Sequence, residues 1–455
     1  MTVPRAPSLA LAAGPQPLGI LPPPAGFLLL PESASPLAAP ALERLLSGDL
    51  SGPLPAEWEF YRRAAGGDLA AALAVLEPPN HPIAAYDRFV LSGDLAAFAR
   101  LPSLYSGDLG RLIACAAFAA GESDCLPDAE AAEMPAVAAV AWMVRAAAEM
   151  EAGHPETALA SLDRGVEAVR AASPSFAAQL LAQKAALLAE SHDDDRGDRS
   201  DRRRRALAAL REGIALVPAA PEEGPSPVRA ALFLALGQLL QDTAAGDRSG
   251  LVEAVQAYQA AIHSGLSLEH GAESYALAQN NLGLAYLALP MSGAGSPLRM
   301  GIAVQSFREA LKVWTPERHP QAWSSAQLNL ANALQYLPSS HPEDHLAQAV
   351  EIYEQLLGYR DRARDPLGYA RLLANQANAL AHLGIFAPAL AKLHEAHKLF
   401  HWHGEPDLAA SALEQVERIN ERLGARGSDG SQLGGPPGVR AEAAILTGIS
   451  GGEGA

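Results

Sequence analysis
One pattern constrains this chain more than any other: a small residue, a large apolar residue four places on, and a small residue three beyond that. The leading small residue is Ala158, Ala206, Ala254, Ala303, Ala349 and Ala389, at separations of 48, 48, 49, 46 and 40 by difference. The large residue is Leu162, Leu210, Tyr258, Phe307, Tyr353 and Leu393. The closing position holds Gly165, Gly213, Ala261, Ala310 and Ala396, with Leu356 as the exception. Offsets of four and three fall on one face of an α-helix. A second helix precedes each of these: Gly237, Gly283, Ala331 and Ala377 form one of its columns, and Asn281, Asn329 and Asn375 another. Recurrence at such a period predicts stacked helical hairpins, an all-α solenoid, in which small residues let paired helices approach closely.

The stretch Tyr275–Trp314 shows the unit most clearly. Leu282, Gly283 and Tyr286 lie in its first helix, and Ala303, Phe307 and Ala310 in its second. Pro290, Ser292, Gly293, Gly295 and Pro297 punctuate the turn between them. Leu-Gly-x-x-Tyr followed by Ala-x-x-x-Phe-x-x-Ala resembles the tetratricopeptide repeat family over roughly residues 135–422. Gln279 stands where that family usually has an aromatic residue; Trp142 fills the place in the first repeat. The family period is 34 residues. The tight turns at Gly153-His154-Pro155 and Gly384-Ile385-Phe386 fit it, whereas the middle hairpins carry longer loops. HEAT-type repeats share the longer period and are the alternative.

The expected hairpins are Ala136–Ala152 with Pro155–Ala171, Ser175–Ser191 with Arg202–Val217, and Val228–Gln241 with Leu251–Gly265. The Tyr275–Trp314 hairpin follows, then Trp323–Tyr336 with His345–Leu357, and Tyr369–His382 with Ala387–Phe400. Asp407–Leu423 is a final helix with one wet face, as an array's end requires. Four regions result: a Pro-rich, mostly extended and disordered leader at 1–36, an irregular helical region at 37–134, the repeat array at 135–423, and a Gly/Ser-rich disordered tail at 424–455. In the second region Ser-Gly-Asp-Leu occurs at Ser47, Ser92 and Ser106, with a variant at Gly66. These marks bound short helices such as Glu57–Ala65, Asp68–Leu76, Ile83–Leu91 and Leu95–Leu101, because Gly ends a helix and Asp caps the next. They fit degenerate repeats or an N-terminal cap; a separate domain is the other reading.

A formal net charge of −17 disfavours a nucleic-acid partner. No segment reaches the ~20 apolar residues that span a bilayer, and the apolar run near Leu9 is short for a secretion signal, so a cytoplasmic protein is expected. Cys115 and Cys125 alone imply neither a zinc site nor a disulfide framework. The acidic run at Asp193–Asp195 departs from a calcium loop: Arg196 precedes Gly197 and no terminal Glu follows. A solvated mixed-charge loop is expected there, with Arg202–Arg205 available to an acidic partner. No nucleophile elbow, phosphate loop or His-Glu-x-x-His motif occurs, so neither catalysis nor a cofactor is expected. His394, His397 and His401 share a helical face and are a weak metal candidate against a solvated helix end.

The family resemblance implies that first helices line a concave groove that takes a peptide or a partner helix. Carried onto this chain, the lining includes Asn280, Leu284, Ser325, Asn332, Gln335, Tyr336, Arg371, Asn378 and His382. Asn281, Asn329 and Asn375 form a ladder one step around. Asparagine both donates and accepts, so such a row can bond a peptide backbone or, alternatively, tie neighbouring helices together. Some tetratricopeptide proteins clamp a partner's C-terminal carboxylate with Lys, Arg and Asn. Here Asn280, Leu328 and Ala374 occupy the lysine positions and only Arg371 is basic, which argues against that clamp. The expected function is a non-enzymatic scaffold or assembly factor, with a peptide sensor or an accessory subunit of an enzyme complex as alternatives.

Overall fold
A computed structural model of the chain describes residues 16–21, 24–50, 52–76, 82–93, 107–190, 196–217, 226–244, 247–290 and 295–428. Among the described residues there are eighteen α-helices and no strand. The first five are irregular in length: α1 (Ala38–Leu46), α2 (Glu59–Ala65), α3 (Leu69–Val75), α4 (Pro82–Ser92) and α5 (Gly107–Ala119). Then come α6 (Pro135–Glu151), α7 (Pro155–Val169), α8 (Pro174–Glu190), α9 (Arg196–Leu216), α10 (Pro227–Thr243) and α11 (Arg248–His263). The rest are α12 (Ala272–Ala288), α13 (Ser296–Ala310), α14 (Pro320–Gln335), α15 (Pro342–Tyr359), α16 (Pro366–His382), α17 (Phe386–Trp402) and α18 (Pro406–Ser428).

Proline marks many of these starts. Pro135, Pro155, Pro227, Pro320, Pro342 and Pro366 each sit at the opening of a helix. The missing N–H costs nothing there, and the fixed φ suits the first turn.

The chain divides into two compact units, Met1–Ala245 with Gln256–Ser274, and Gly246–Val255 with Tyr275–Ala455. Within the first, α6 packs on α7, α7 on α8, α8 on α9 and α9 on α10. Within the second, α13 packs on α14, and the sequence of neighbours continues unbroken to α17 on α18. Consecutive helices packing as neighbours make this a helical repeat.

The repeat columns account for the core. Ala158, Ala206, Ala254, Ala303, Ala349 and Ala389 are all completely buried. So, within a few per cent, are Leu162, Leu210, Tyr258, Phe307, Tyr353 and Leu393. At Gly283 a Cβ would lie 2.7 Å from Phe307 Cε1, and at Gly237 one would lie 2.6 Å from Tyr258 Cε1. Carbon atoms prefer about 3.5–4.0 Å, so the aromatic ring of the second helix rests on the bare backbone of the first.

The N-terminal segment differs from its expected disorder. Leu18, Ile20, Phe27, Leu28, Leu29 and Leu30 are buried, and Leu28 and Leu30 share a core with Trp58, Phe60 and Tyr61. Its backbone polar groups find side-chain partners. Leu29 N–H donates to Asp87 Oδ1 at 2.9 Å and Leu30 N–H to Gln16 Oε1 at 2.9 Å. Trp58 Nε1 donates to the Pro31 carbonyl at 2.8 Å, and Gln179 Nε2 on α8 donates to the Ile20 carbonyl at 3.0 Å. Proline spacing hid the apolar content, which is high enough to be buried once the backbone is satisfied. Residues 1–15 lie outside the described residues, as do the expected helix at Leu95–Leu101 and the tail beyond Ser428.

Two further boundaries move. The mixed-charge loop is helical from Arg196, and Arg202 is buried; Asp193–Asp195 lie outside the described residues. The last helix runs on to Ser428 rather than Leu423. Of the Ser-Gly-Asp-Leu marks, Gly48 and Gly67 follow α1 and α2 with φ of 84° and 82°, and the Asp68 carboxylate caps α3 through Ala71 N–H at 3.0 Å, whereas Asp108 lies within α5 and accepts from Glu133 and Met134 N–H at 2.9 and 2.6 Å.

Candidate functional site
The polar residues singled out in the sequence gather on three first helices of the second unit, α12, α14 and α16. Each of these helices turns an alanine- and leucine-rich face to its partner. Ala331 and Ala377 are fully buried there, which leaves the amide-bearing positions on the flank toward the next first helix. Asn329 Nδ2 donates to Asn280 Oδ1 at 3.2 Å, and Asn280 Nδ2 donates to Asn281 Oδ1 at 3.2 Å. Asn375 Nδ2 donates to Asn332 Oδ1 at 3.2 Å. Asn378 Nδ2 donates both to Gln335 Oε1 and to the Tyr336 hydroxyl, each at 3.2 Å.

The bonds therefore run diagonally, from Asn280 to Asn329 and from Asn332 to Asn375, rather than straight along Asn281, Asn329 and Asn375. A side-chain amide reaches one position around the neighbouring helix, and the bonds fall into two sets: Asn280, Asn281 and Asn329 on α12 and α14, and Asn332, Gln335, Tyr336, Asn375 and Asn378 on α14 and α16, joined through Tyr353. Asn280, Asn329 and Asn332 are buried, at 8 %, 3 % and 9 % exposure. Gln335, Tyr336, Asn375 and Asn378 are half-buried, and Ser325, Arg371 and His382 are exposed.

Tyr353 on α15 anchors the second set from behind. Its hydroxyl donates to Asn332 Oδ1 at 2.6 Å and accepts from Gln335 Nε2. Complete burial pushes this phenol well above its ordinary pKa, and burial also raises Tyr336. Both stay neutral donors across the physiological range.

Gln376, only 1 % exposed, extends the polar system on the other side. Its Nε2 donates to Glu354 Oε2 at 2.6 Å and to the Val350 carbonyl at 3.2 Å. That bond is the main cause, with Lys392 a lesser one, that holds Glu354 below the usual carboxylate range. Tyr353, Glu354 and Gln376 were not among the residues read from sequence as part of a site. In the repeat columns Tyr353 reads as a packing residue alone. The signal that could have found it is the phenol itself, since a buried tyrosine needs a partner for its hydroxyl.

His382 is exposed, yet packing around its ring and, secondly, the Arg422 guanidinium hold its pKa below the ordinary imidazole value. The charged groups at this end of the face are Arg371 and, beside His382, Arg422. Its chemistry is amide and hydroxyl hydrogen bonding.

The histidines of α17 are not assembled into a metal site. His397 Nδ1 lies 3.0 Å from the Ala409 carbonyl, and the His397 and His401 rings stack with centroids 6.1 Å apart. Among the described residues, no group of three or more His, Cys, Asp or Glu is placed to hold a metal ion. Helical spacing put these rings on one face, but the α18 backbone takes the central nitrogen. Cys115 is buried and its thiol is pushed up to about 12, so it stays protonated. No helix among the described residues is long and apolar enough to cross a membrane.

No family model matches the sequence, and no curated protein matches it. Among solved structures the chain is similar to BtubC (BKLC) from P. vanneervenii, at 16 % identity and a TM-score of 0.35, covering 63 % of this chain and 96 % of that one. It is also similar to human IFIT1, solved as a dimer with PPP-AAAA, at 13 % identity and a TM-score of 0.29, covering 89 % of this chain and 99 % of that one. The helical-repeat description rests on the packing above.

Proposed function
We propose that the protein is a non-enzymatic interaction scaffold of tetratricopeptide type, cytoplasmic, that binds an extended segment of a partner protein along the first helices of its second unit. One observation carries this reading. Asn375 and Asn378 direct their amide N–H groups to the preceding first helix and leave their Oδ1 atoms without a hydrogen bond among the described residues. These oxygens, held in place from behind by Tyr353 and Gln335, offer acceptors to the N–H groups of an incoming backbone. The fixed network lowers the ordering cost of binding, and exposed Arg371 and His382 flank it to read partner side chains. The Leu-Gly-x-x-Tyr and Ala-x-x-x-Phe-x-x-Ala pairing supports the tetratricopeptide reading over a HEAT-type one.

The test uses the full-length chain purified with its partner from its own host. Arg371→Glu with His382→Glu alters only exposed side chains and should leave melting unchanged while weakening the partner by about tenfold or more, the effect of ~1.4 kcal/mol. Glu351→Arg, exposed on the second helix α15, should leave binding unchanged. Undiminished binding in the double variant, or equal loss in Glu351→Arg, overturns the assignment.

A further inference from the structure
The first helices of the second unit carry a column that the scaffold reading does not use. Tyr275, Trp323 and Tyr369 each stand fourth in their helix, α12, α14 and α16, and six places before Asn281, Asn329 and Asn375 by difference. Six residues turn a helix by about 600°, so the aromatics stand about a third of a turn away from the asparagines. All three are half-buried. Tyr359, at the end of α15, meets Trp323 edge to face, with centroids 5.2 Å apart and planes at 70°, and is 48 % exposed. The loops that lead into α14 and α16, residues 311–319 and 360–365, lie wholly within the described residues.

The rings are held from behind. Trp323 packs against Ala276, Ala310, Trp314 and Ala326, and Tyr369 against the cluster that holds Leu373 and Phe400. Their polar ends are open. Among the described residues Trp323 Nε1–H and the Tyr359 and Tyr369 hydroxyls have no hydrogen-bond partner, whereas the Tyr275 hydroxyl donates to Glu309 Oε2 at 3.3 Å. Lys312, Arg360, Arg362 and Arg364 are held in ion pairs by Glu309, Asp365, Glu395 and Asp361. Glu317 and Arg318 add one charge of each sign, and Arg362 also lies over the Tyr369 ring at 5.9 Å. These charges cancel, so the edge selects for rings and donors rather than for charge.

We propose that this aromatic edge binds a proline-rich segment of a partner protein in the polyproline II conformation. Such a helix has three residues per turn and rises about 3.1 Å per residue, so one side of it repeats about every 9 Å, and its carbonyls have no internal donors. Consecutive first helices are joined through Asn280 with Asn329 and through Asn332 with Asn375. Helices in contact pack at about 8–10 Å, so prolines three apart reach Trp323 and Tyr369 in turn. The corner between Trp323 and Tyr359 seats a pyrrolidine ring, and the free indole N–H and hydroxyls meet the outward carbonyls. Trp and Tyr suit this task because each joins an apolar body to a polar tip. A polyproline II segment is already ordered, so binding it costs little conformational entropy. The column lies apart from the asparagine face, so the site stands independently of the scaffold reading.

Fluorescence anisotropy of a labelled nonaproline peptide titrated with the full-length protein tests the proposal. Saturable 1:1 binding is expected, with Kd below about 1 mM. Tyr359→Ala removes an exposed ring and should weaken binding by about tenfold or more, ~1.4 kcal/mol. Trp323→Phe keeps a ring but loses the indole N–H and should weaken it about fivefold. Leu298→Ala, exposed at the start of α13, is the control and should leave Kd unchanged. Arg371→Glu with His382→Glu, on the opposite side of α16, should also leave it unchanged; loss equal to that of Tyr359→Ala would merge the two surfaces and overturn a separate site. Lack of saturation at about 5 mM, an unchanged Kd in Tyr359→Ala, or equal binding of a Gly-Ser peptide of the same length overturns the proposal. Tighter binding of a peptide of residues 1–15, which contain Pro4, Pro7 and Pro15, overturns it in favour of this chain's own leader.

Discussion

Two helical glycines of the second unit separate packing from propensity. Gly283 and Gly301 both lie inside helices, α12 and α13. Replacing either with alanine gains about 0.5–1 kcal/mol of helix preference. At Gly301 the new Cβ meets nothing within 4 Å, so Gly301→Ala should stabilise by about that amount. At Gly283 the Cβ would lie 2.7 Å from Phe307 Cε1 and 2.8 Å from Cζ, and Phe307 is fully buried and cannot swing outward. Overpacking of this kind costs about 1–3 kcal/mol. The propensity gain cancels in the comparison, so Gly283→Ala should be less stable than Gly301→Ala by roughly 1–3 kcal/mol. For a unit of this size that is a Tm gap of about 2–12 °C. Urea melts followed by circular dichroism measure it, using shifts in the transition midpoint because a repeat array need not unfold in two states. Adding Phe307→Leu to Gly283→Ala should recover part of the loss. If Gly283→Ala stabilises as much as Gly301→Ala, the seam is not where the repeat columns place it.

Three other expectations follow from the same contacts. Tyr353→Phe removes the hydroxyl between Asn332 and Gln335 and should cost about 1–3 kcal/mol, since buried amide groups lose their partner; a neutral urea midpoint would contradict the anchoring role. Leu30→Ala, in the N-terminal segment, should cost about 2–5 kcal/mol, whereas a disordered leader would tolerate it without a measurable shift. Asp87 is the pH-sensitive case. Burial holds its carboxyl well above the usual range, and Oδ2 has no partner. At low pH both folded and unfolded chains carry the proton, and no penalty exists. As pH rises past the ordinary value near ~3.9, the unfolded chain ionises first, so stability falls until the raised folded pKa is passed. Asp87→Asn should flatten that decline and melt higher than wild type at neutral pH; a steeper decline would refute the sign.

The repeat columns were legible because they are local and periodic. Each alanine of the leading column had a single physical task, and all six are buried as the spacing required. The N-terminal segment was not legible, because its burial depends on Asp87 and Gln179, distant in sequence. Pattern reading sees apolar residues among prolines but not the partners that satisfy the backbone between them. The asparagines were found by type and column, yet their bonds cross between columns, since the offset between neighbouring helices is set by packing rather than by period. Arg199, Arg203 and Arg211 show the same limit from the other side. Charge made the run visible, but not the helical start at Arg196 that turns an expected loop into part of α9.

The most direct test of the scaffold reading is photo-crosslinking in the native host from a benzophenone side chain placed at position 371 or, separately, at position 351. The account predicts that one partner protein is captured from 371, on the first-helix face, and not from 351, on α15. Capture from 351 with none from 371 would place the binding surface on the second helices and contradict the account.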